Sequence, residues 1–293
     1  MRTKLAIIAS LLPVLLLAQE LSPIVKYQSS AYGAGNQNWM IDQDAKRFLY
    51  FANNEGLLEF NGSAWTLYPS PNETIIRSVK VVGDRIYTGC YMEFGYWMRQ
   101  PDNHLKYHSL SNKIKDKIRD DEQFWNILAY DQWVIFQSLD QIHIYDSKTG
   151  NFSAITPGNR ILKSFQTSHS IFFQVAQSGL YEIENGAPKL VSNHPVTLDH
   201  KIVNIFATAE GLIMQTQHDG LFTFSNGQFA RFASDADEQI SKSGVYSCQQ
   251  LSDEGFAIGT VSNGVFILSD TGRLKYHITQ DKGLSNNTVL SVF

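Results

Sequence analysis

From residue 38 onward, short apolar runs alternate with small clusters of Gly, Asn, Asp and Ser. No stretch sustains a helical period, so the pattern predicts strands joined by turns. One phrase recurs, often a polar residue or two and a Gly, then an apolar or aromatic strand. It reads Asn54-Glu-Gly-Leu57, Glu93-Phe-Gly-Tyr96, Asp140-Gln-Ile142, Gln177-Ser-Gly-Leu180, His218-Asp-Gly-Leu221 and Ser262-Asn-Gly-Val265. Anchored on Gly56, Gly95, Gln141, Gly179, Gly220 and Gly264, the steps are 39, 46, 38, 41 and 44 residues. An apolar strand precedes each anchor, as in Trp133-Val-Ile-Phe136 and Leu212-Ile-Met-Gln215, and another lies upstream of most of these. After each anchor comes a tight-turn signal, as at Asn61-Gly62, Asn185-Gly186 and Asn226-Gly227. Asn and Gly tolerate the positive φ that such hairpins need.

Four short strands repeated about every forty residues are the mark of β-propeller blades. A four-stranded meander cannot bury both of its faces alone, whereas blade stacked on blade does so. The expected fold is therefore all-β: a β-propeller of four-stranded antiparallel blades, about six of them complete. The blades are read at 38–68, 75–110, 124–155, 161–191, 201–232 and 245–279, with a seventh starting at Gly283. A β-sandwich needs no fixed repeat of this length and is the weaker reading. Residues 281–293 read as a turn and the first strand of another blade, so the propeller is expected to be incomplete at its C-terminal end. Return of Ile24 to Gly33 to complete the last blade is the alternative.

Composition adds limits. Of 293 residues, 43% are apolar and 18% charged, with a formal net charge of −4. No basic excess supports binding of nucleic acid by this segment. The densest basic patch, Lys113 to Arg119, is followed at once by Asp120, Asp121 and Glu122, and reads as a solvated turn or short helical turn carrying Ile114 and Ile118. Met1 to Gln19 reads as a signal peptide: Arg2 and Lys4, then the apolar run Leu5 to Leu17, then Ala18. Residues 20–293 then form one exported propeller domain. Cys90 and Cys248 fall in distant blades and read as separate core residues.

Candidate chemistry is sparse. The eight His are scattered, and Gly-x-Ser-x-Gly and phosphate-cradling Gly loops are absent from the sequence. No cofactor, metal site or catalytic residue is expected, although acids far apart in sequence could still meet on one propeller face. An exported propeller enzyme acting on carbohydrate is the rival reading. Binding suits the scaffold better, because loops between second and third strands converge with the blade-joining loops on one face. On these loops Tyr91, Glu93, Asp140, Asp219 and Asn263 combine a ring face with hydrogen-bond acceptors, which fits a sugar or a polar peptide. The five Trp read as blade-packing residues rather than ligand platforms.

Two stretches carry a resemblance. Gly33-Ala-Gly-Asn-Gln-Asn-Trp39, continuing through Tyr50 to Phe60 and Glu93 to Trp97, resembles the two-component-regulator propellers of exported bacterial sensors. Gly283-Leu-Ser-Asn-Asn-Thr-Val-Leu-Ser-Val-Phe293 is similar to the opening of that family's repeat. Two departures stand out. The turn Asp42 to Phe48 lacks the expected Gly, which predicts a looser turn. Of the family's Leu-Trp-x-Gly-Thr strand, only Ala257-Ile-Gly-Thr260 comes close in blades three to six. The resemblance implies a ligand-sensing or interaction domain on the periplasmic side of the cytoplasmic membrane. It also implies a downstream β-sandwich, a membrane helix and an output domain, either a histidine kinase or a helix-turn-helix module, and admits a homodimer.

Overall fold

The structure, a computed structural model, describes residues 24–293; the signal peptide read at Met1–Gln19 lies outside them. Six four-stranded antiparallel sheets follow one another along the chain. Blade one comprises β1 (Asn38–Gln43), β2 (Leu49–Asn53), β3 (Gly56–Phe60) and β4 (Trp65–Pro69). Blade two comprises β5 (Ser78–Val82), β6 (Arg85–Gly89), β7 (Phe94–Arg99) and β8 (Leu105–Ser109). Blade three is β9 (Asn126–Tyr130), β10 (Trp133–Gln137), β11 (Ile142–Asp146) and β12 (Phe152–Ile155). Blade four is β13 (Ile161–Gln166), β14 (Ile171–Val175), β15 (Gly179–Glu184) and β16 (Ala187–Ser192). Blade five holds β17 (Ile202–Thr208), β18 (Gly211–Thr216), β19 (Leu221–Ser225) and β20 (Gln228–Phe232). Blade six holds β21 (Val245–Gln250), β22 (Phe256–Thr260), β23 (Val265–Leu268) and β24 (Leu274–Ile278).

First strands are innermost, for β1 meets β5, β5 meets β9, and so on through β13 and β17 to β21. Fourth strands face outward, and β16 is exposed over most of its length. The cores lie between blades rather than within them. Tyr50, Leu57, Val79 and Trp97 join blades one and two, and Phe94, Phe124 and Phe136 join two and three. Three similar clusters fill the next three junctions. Burying one such side chain contributes about 1.5–3 kcal/mol, so the stack of blades, not any single sheet, holds the fold.

The anchors have a steric reason. Gly264 has φ +70°, and a Cβ there would sit 2.1 Å from the Ile278 carbonyl oxygen on the neighbouring strand. The first hairpin, which lacks a Gly, is closed more firmly than its sequence predicts. Asp44 Oδ1 accepts from Lys46 N and Phe48 N, both at 2.9 Å, while Arg47 takes the left-handed conformation at φ 68°.

A second device links successive blades. Ser78 Oγ donates to the Phe124 carbonyl, and Asn126 Nδ2 to that of Ser164, both at 2.8 Å. Lys163 Nζ donates to Val203 O at 2.8 Å and Asn204 Nδ2 to Cys248 O at 2.7 Å. Each donor occupies the same register position in its inner strand, so the bonds form a ladder around the axis. Ser247 holds that position in blade six, opposite Gly259, and its buried Oγ has no partner among the described residues. Residues 287–292 lie against this side of blade six: Val289 N donates to Thr260 O at 2.9 Å, and Gly264 N to Asn287 O at 2.8 Å. They form no strand, in contrast to the seventh-blade strand read there. Nor does Ile24 to Gly33 complete the last blade. It packs on the outer edge of blade one, with Tyr27 against Phe60 and Trp65.

Candidate functional site

At the entry to four of the six inner strands, one residue falls out of the pairing register. Trp39, Leu162, Val203 and Tyr246 are bulge residues, skipped between the paired neighbours on either side. Arg77 and Trp125 take the same place just ahead of β5 and β9, donating their amides to Gly89 O and Gln137 O at 2.9 Å. Val203 packs in the core between blades five and six, whereas Trp39, Arg77, Trp125 and Tyr246 meet near the end that carries the loops between second and third strands.

Contacts across the axis agree. The rings of Trp39 and Trp125, from blades one and three, meet edge-on with centroids 6.3 Å apart at 82°. The Arg77 guanidinium of blade two lies in the corner they form, 4.3 Å from one ring centre and 4.7 Å from the other. The Tyr246 hydroxyl of blade six interacts electrostatically with Arg77, and its residue is 39% exposed. Burial pulls the guanidinium below its ordinary pKa. Among the described residues no carboxylate pairs with it and its donors make no hydrogen bond. Trp39 Nε1 donates to Asn54 Oδ1 at 2.8 Å, whereas the buried Nε1 of Trp125 has no partner among the described residues.

Two of the Trp read as packing residues thus meet at the axis, and Trp39 also packs against the core between blades one and two as read. Trp97 does pack within the blades, its Nε1 bonded to Thr88 Oγ1 at 2.9 Å, and Trp65 stacks on Phe60. The sequence held a signal for the axial set: an aromatic or cationic residue just before the inner-strand donor in four of six repeats. It becomes visible only when repeats are aligned at their bulges.

The five loop residues named from the sequence sit where the blade reading puts them, each engaged locally. Tyr91, 37% exposed, donates its hydroxyl to Asp121 Oδ1 at 2.6 Å. Glu93 Oε1 accepts from the Tyr107 hydroxyl at 2.8 Å. Asp140 is exposed at its loop tip, with its amide bonded to Ser138 Oγ at 3.1 Å. Asp219 Oδ2 pairs with His200 Nδ1 at 2.6 Å, and the Asn263 carbonyl lies 2.9 Å from His277 Nε2. Tyr91 and Glu93 share a loop; no direct bond joins the five to one another among these contacts.

Sequence reading missed a buried polar cluster behind the Tyr91 loop. Glu122, taken as part of a solvated patch, is 1% exposed. Its carboxylate accepts from Ser138 Oγ at 2.7 Å, lies 3.4 Å from His143 Nε2 and accepts from Arg119 N at 3.3 Å. Burial alone would raise its pKa, but the His143 and Ser138 bonds outweigh that and hold it below the ordinary value. The same segment grips the Tyr91 loop through the backbone. Met92 N donates to Glu122 O at 2.8 Å and Phe124 N to Cys90 O at 3.2 Å. The rest of the basic patch matches expectation, as two 3-10 turns with Ile114 buried between them. Cys90 and Cys248 are separate, buried and unpaired.

On the opposite end of the blades, a cleft of about 210 Å³ opens between blades one and two, lined by Asp44, Lys46, Tyr50 and Arg99. Its cation is already bound, for Arg99 pairs with Glu59. No group of three or more metal-ligating side chains occurs among the described residues.

The sequence matches no protein-family model and no curated protein. Solved structures do resemble it. One is the extracellular domain of a B. thetaiotaomicron protein assigned as a hybrid two-component system: TM-score 0.70, 17% identity, covering 92% of this chain and 39% of that one. Another, from the same organism and assigned as a one-component system, gives TM-score 0.65 at 16% identity over 89% of this chain and 36% of its own. The virginiamycin B lyase of Staphylococcus aureus gives TM-score 0.64 at 11% identity, covering 84% and 86%. This chain therefore spans well under half the length of the first two. At these identities the likeness is one of fold: the chain is a β-propeller of the kind found in extracellular regulator domains and also in an enzyme. No described helix is long and apolar enough to cross a membrane.

Proposed function

We propose that this chain is the exported, ligand-sensing propeller of a transmembrane signalling or transcription-regulating protein, and that it binds without turning its ligand over. The observation that carries this is the axial cluster: an unpaired guanidinium among aromatic rings, at the end of the channel where the loops of several blades open. Such a constellation recognises a polar ligand, and its one candidate nucleophile or proton donor, the Tyr246 hydroxyl, has no hydrogen-bonded base among the described residues. The similar extracellular domains of two regulators support the setting. A ligand that favours one arrangement of such a propeller would bias a two-state protein across the membrane.

The test is a thermal-shift screen of soluble saccharides and peptides against the purified chain, followed by chromatography of every hit after prolonged incubation. A hit recovered intact supports sensing. A hit recovered as cleaved or rearranged product overturns it and restores the carbohydrate-active enzyme.

A further inference from the structure

A cation withdrawn from water without a counter-charge is costly, and proteins ordinarily pair it. Arg77 is half-buried: its guanidinium faces two indole rings, and among the described residues it has neither a carboxylate nor a side-chain hydrogen-bond acceptor. Ring faces compensate only part of its lost hydration. The donors along the edge of the fork, which match a carboxylate or a sulfate in two-point geometry, remain unused. A second donor close by is also unused, the buried Nε1 of Trp125. The rings of Trp39, Trp125 and the exposed Tyr246 adjoin the guanidinium.

We infer that the axial corner at Arg77 is a binding site for a saccharide bearing a carboxylate or sulfate group. The acid group pairs with the guanidinium and accepts from Trp125 Nε1. The sugar ring packs on Trp39 and Tyr246, and its hydroxyls point toward the rim. This deepens the sensing reading above and rests on it for its biological meaning, but not for its chemistry. The site also explains why an aromatic cage surrounds a cation rather than an acid: the charge it selects is negative.

Sodium glucuronate, sodium sulfate and glucose serve as probes, with intrinsic Trp fluorescence of the full chain as the readout. Glucuronate is expected to change the emission saturably, glucose to do so at least tenfold more weakly, and sulfate to bind more weakly than glucuronate. Arg77→Gln should weaken glucuronate by about tenfold or more, the loss expected for a charge-assisted bond, while Arg77→Lys keeps part of the affinity. Circular dichroism and melting confirm that each variant is folded. Trp125→Phe, which keeps a ring but removes the donor, should weaken binding by a smaller factor.

A glucuronate response that is absent up to roughly 50 mM, well above the millimolar range of weak sugar sites, overturns the site. So does an equal response in a folded Arg77→Gln protein. If sulfate matches glucuronate, the saccharide part of the assignment falls. The two readings fail separately. A different ligand bound intact sinks this site and spares sensing, whereas a ligand turned over sinks sensing whatever happens at Arg77.

Discussion

Replacing Glu122 by Ala strips a buried cluster of its carboxylate and leaves Ser138 Oγ only the Gln141 carbonyl at 3.2 Å. Ser138 Oγ, at 2.7 Å from the carboxylate, and His143 Nε2, at 3.4 Å, both lie at or below 1% exposure. Both would be left facing a cavity that Phe94 and Phe124 line through their contacts with the His143 ring. A buried donor left without its acceptor costs about 1–3 kcal/mol and the cavity left by the side chain adds to it, roughly 3–5 kcal/mol together. At ~2 °C per kcal/mol for a domain of this size, the melting temperature should fall by roughly 6–10 °C. Glu122→Gln keeps one acceptor for Ser138 but presents an amide donor to Arg119 N or His143, so its loss should be smaller, about 1–3 kcal/mol.

The pH dependence has a definite sign. Glu122 is held below its ordinary pKa of 4.5 in the folded chain, so the folded state prefers the carboxylate. The stability it confers is fully present above about pH 4.5 and lost as pH falls through the lowered folded value. The melting curves of parent and Glu122→Gln should therefore converge in acid. Hydrogen exchange at Met92 and Phe124, whose amides bind this segment and the Tyr91 loop, should quicken in the Ala variant. A Glu122→Ala protein melting within about 2 °C of the parent at pH 7 would refute the reasoning, because a solvated carboxylate is the alternative that predicts so little.

Other outcomes follow from single residues. Gly264→Ala forces a Cβ to 2.1 Å from Ile278 O at φ +70° and should destabilise by about 2 kcal/mol or more, read by chemical denaturation. Burial pulls Lys163 down to about 8, so the unfolded chain binds more protons between pH 8 and 10.5 and the parent should gain stability across that window. In Lys163→Met that gain should vanish. Burial pushes the Cys90 thiol up to about 12, and Cys248 is raised as well. Neither should react with a thiol reagent at pH 8 until denaturant is added, and rapid labelling of the native chain would contradict their burial.

Much of the architecture is legible along the chain because it is written locally. Each blade's strands alternate within five or six residues, and each turn needs a Gly or Asn at a position of positive φ, as at Asn185 and Asn226. The observed strands accordingly follow the six spans read from the repeat, with β4 and β16 each ending one residue beyond, at Pro69 and Ser192. Asp44 shows the limit of that reading, since an Asp side chain substitutes for the missing Gly by capping the turn itself. Glu122 shows another. Seven charged residues from Lys113 to Asp121 disguise its burial, and its partners lie further along the chain, Ser138 just past β10 and His143 on β11, under a loop of the preceding blade.

By itself, then, the amino-acid sequence determined the class of fold, the number of repeats and the face on which loops gather. All three follow from short-range periodicity and turn chemistry. Only the tertiary structure decided which residues meet on the axis. Trp39, Arg77, Trp125 and Tyr246 are separated by between 38 and 207 positions and belong to four blades. What unites them is an equivalent place at the entry to their inner strands, a one-residue slip in pairing for Trp39 and Tyr246 and the position just ahead of the strand for Arg77 and Trp125, together with the arrangement of the blades around a common centre. Neither leaves a local mark, because a bulge changes where a side chain points without changing which residues make a strand.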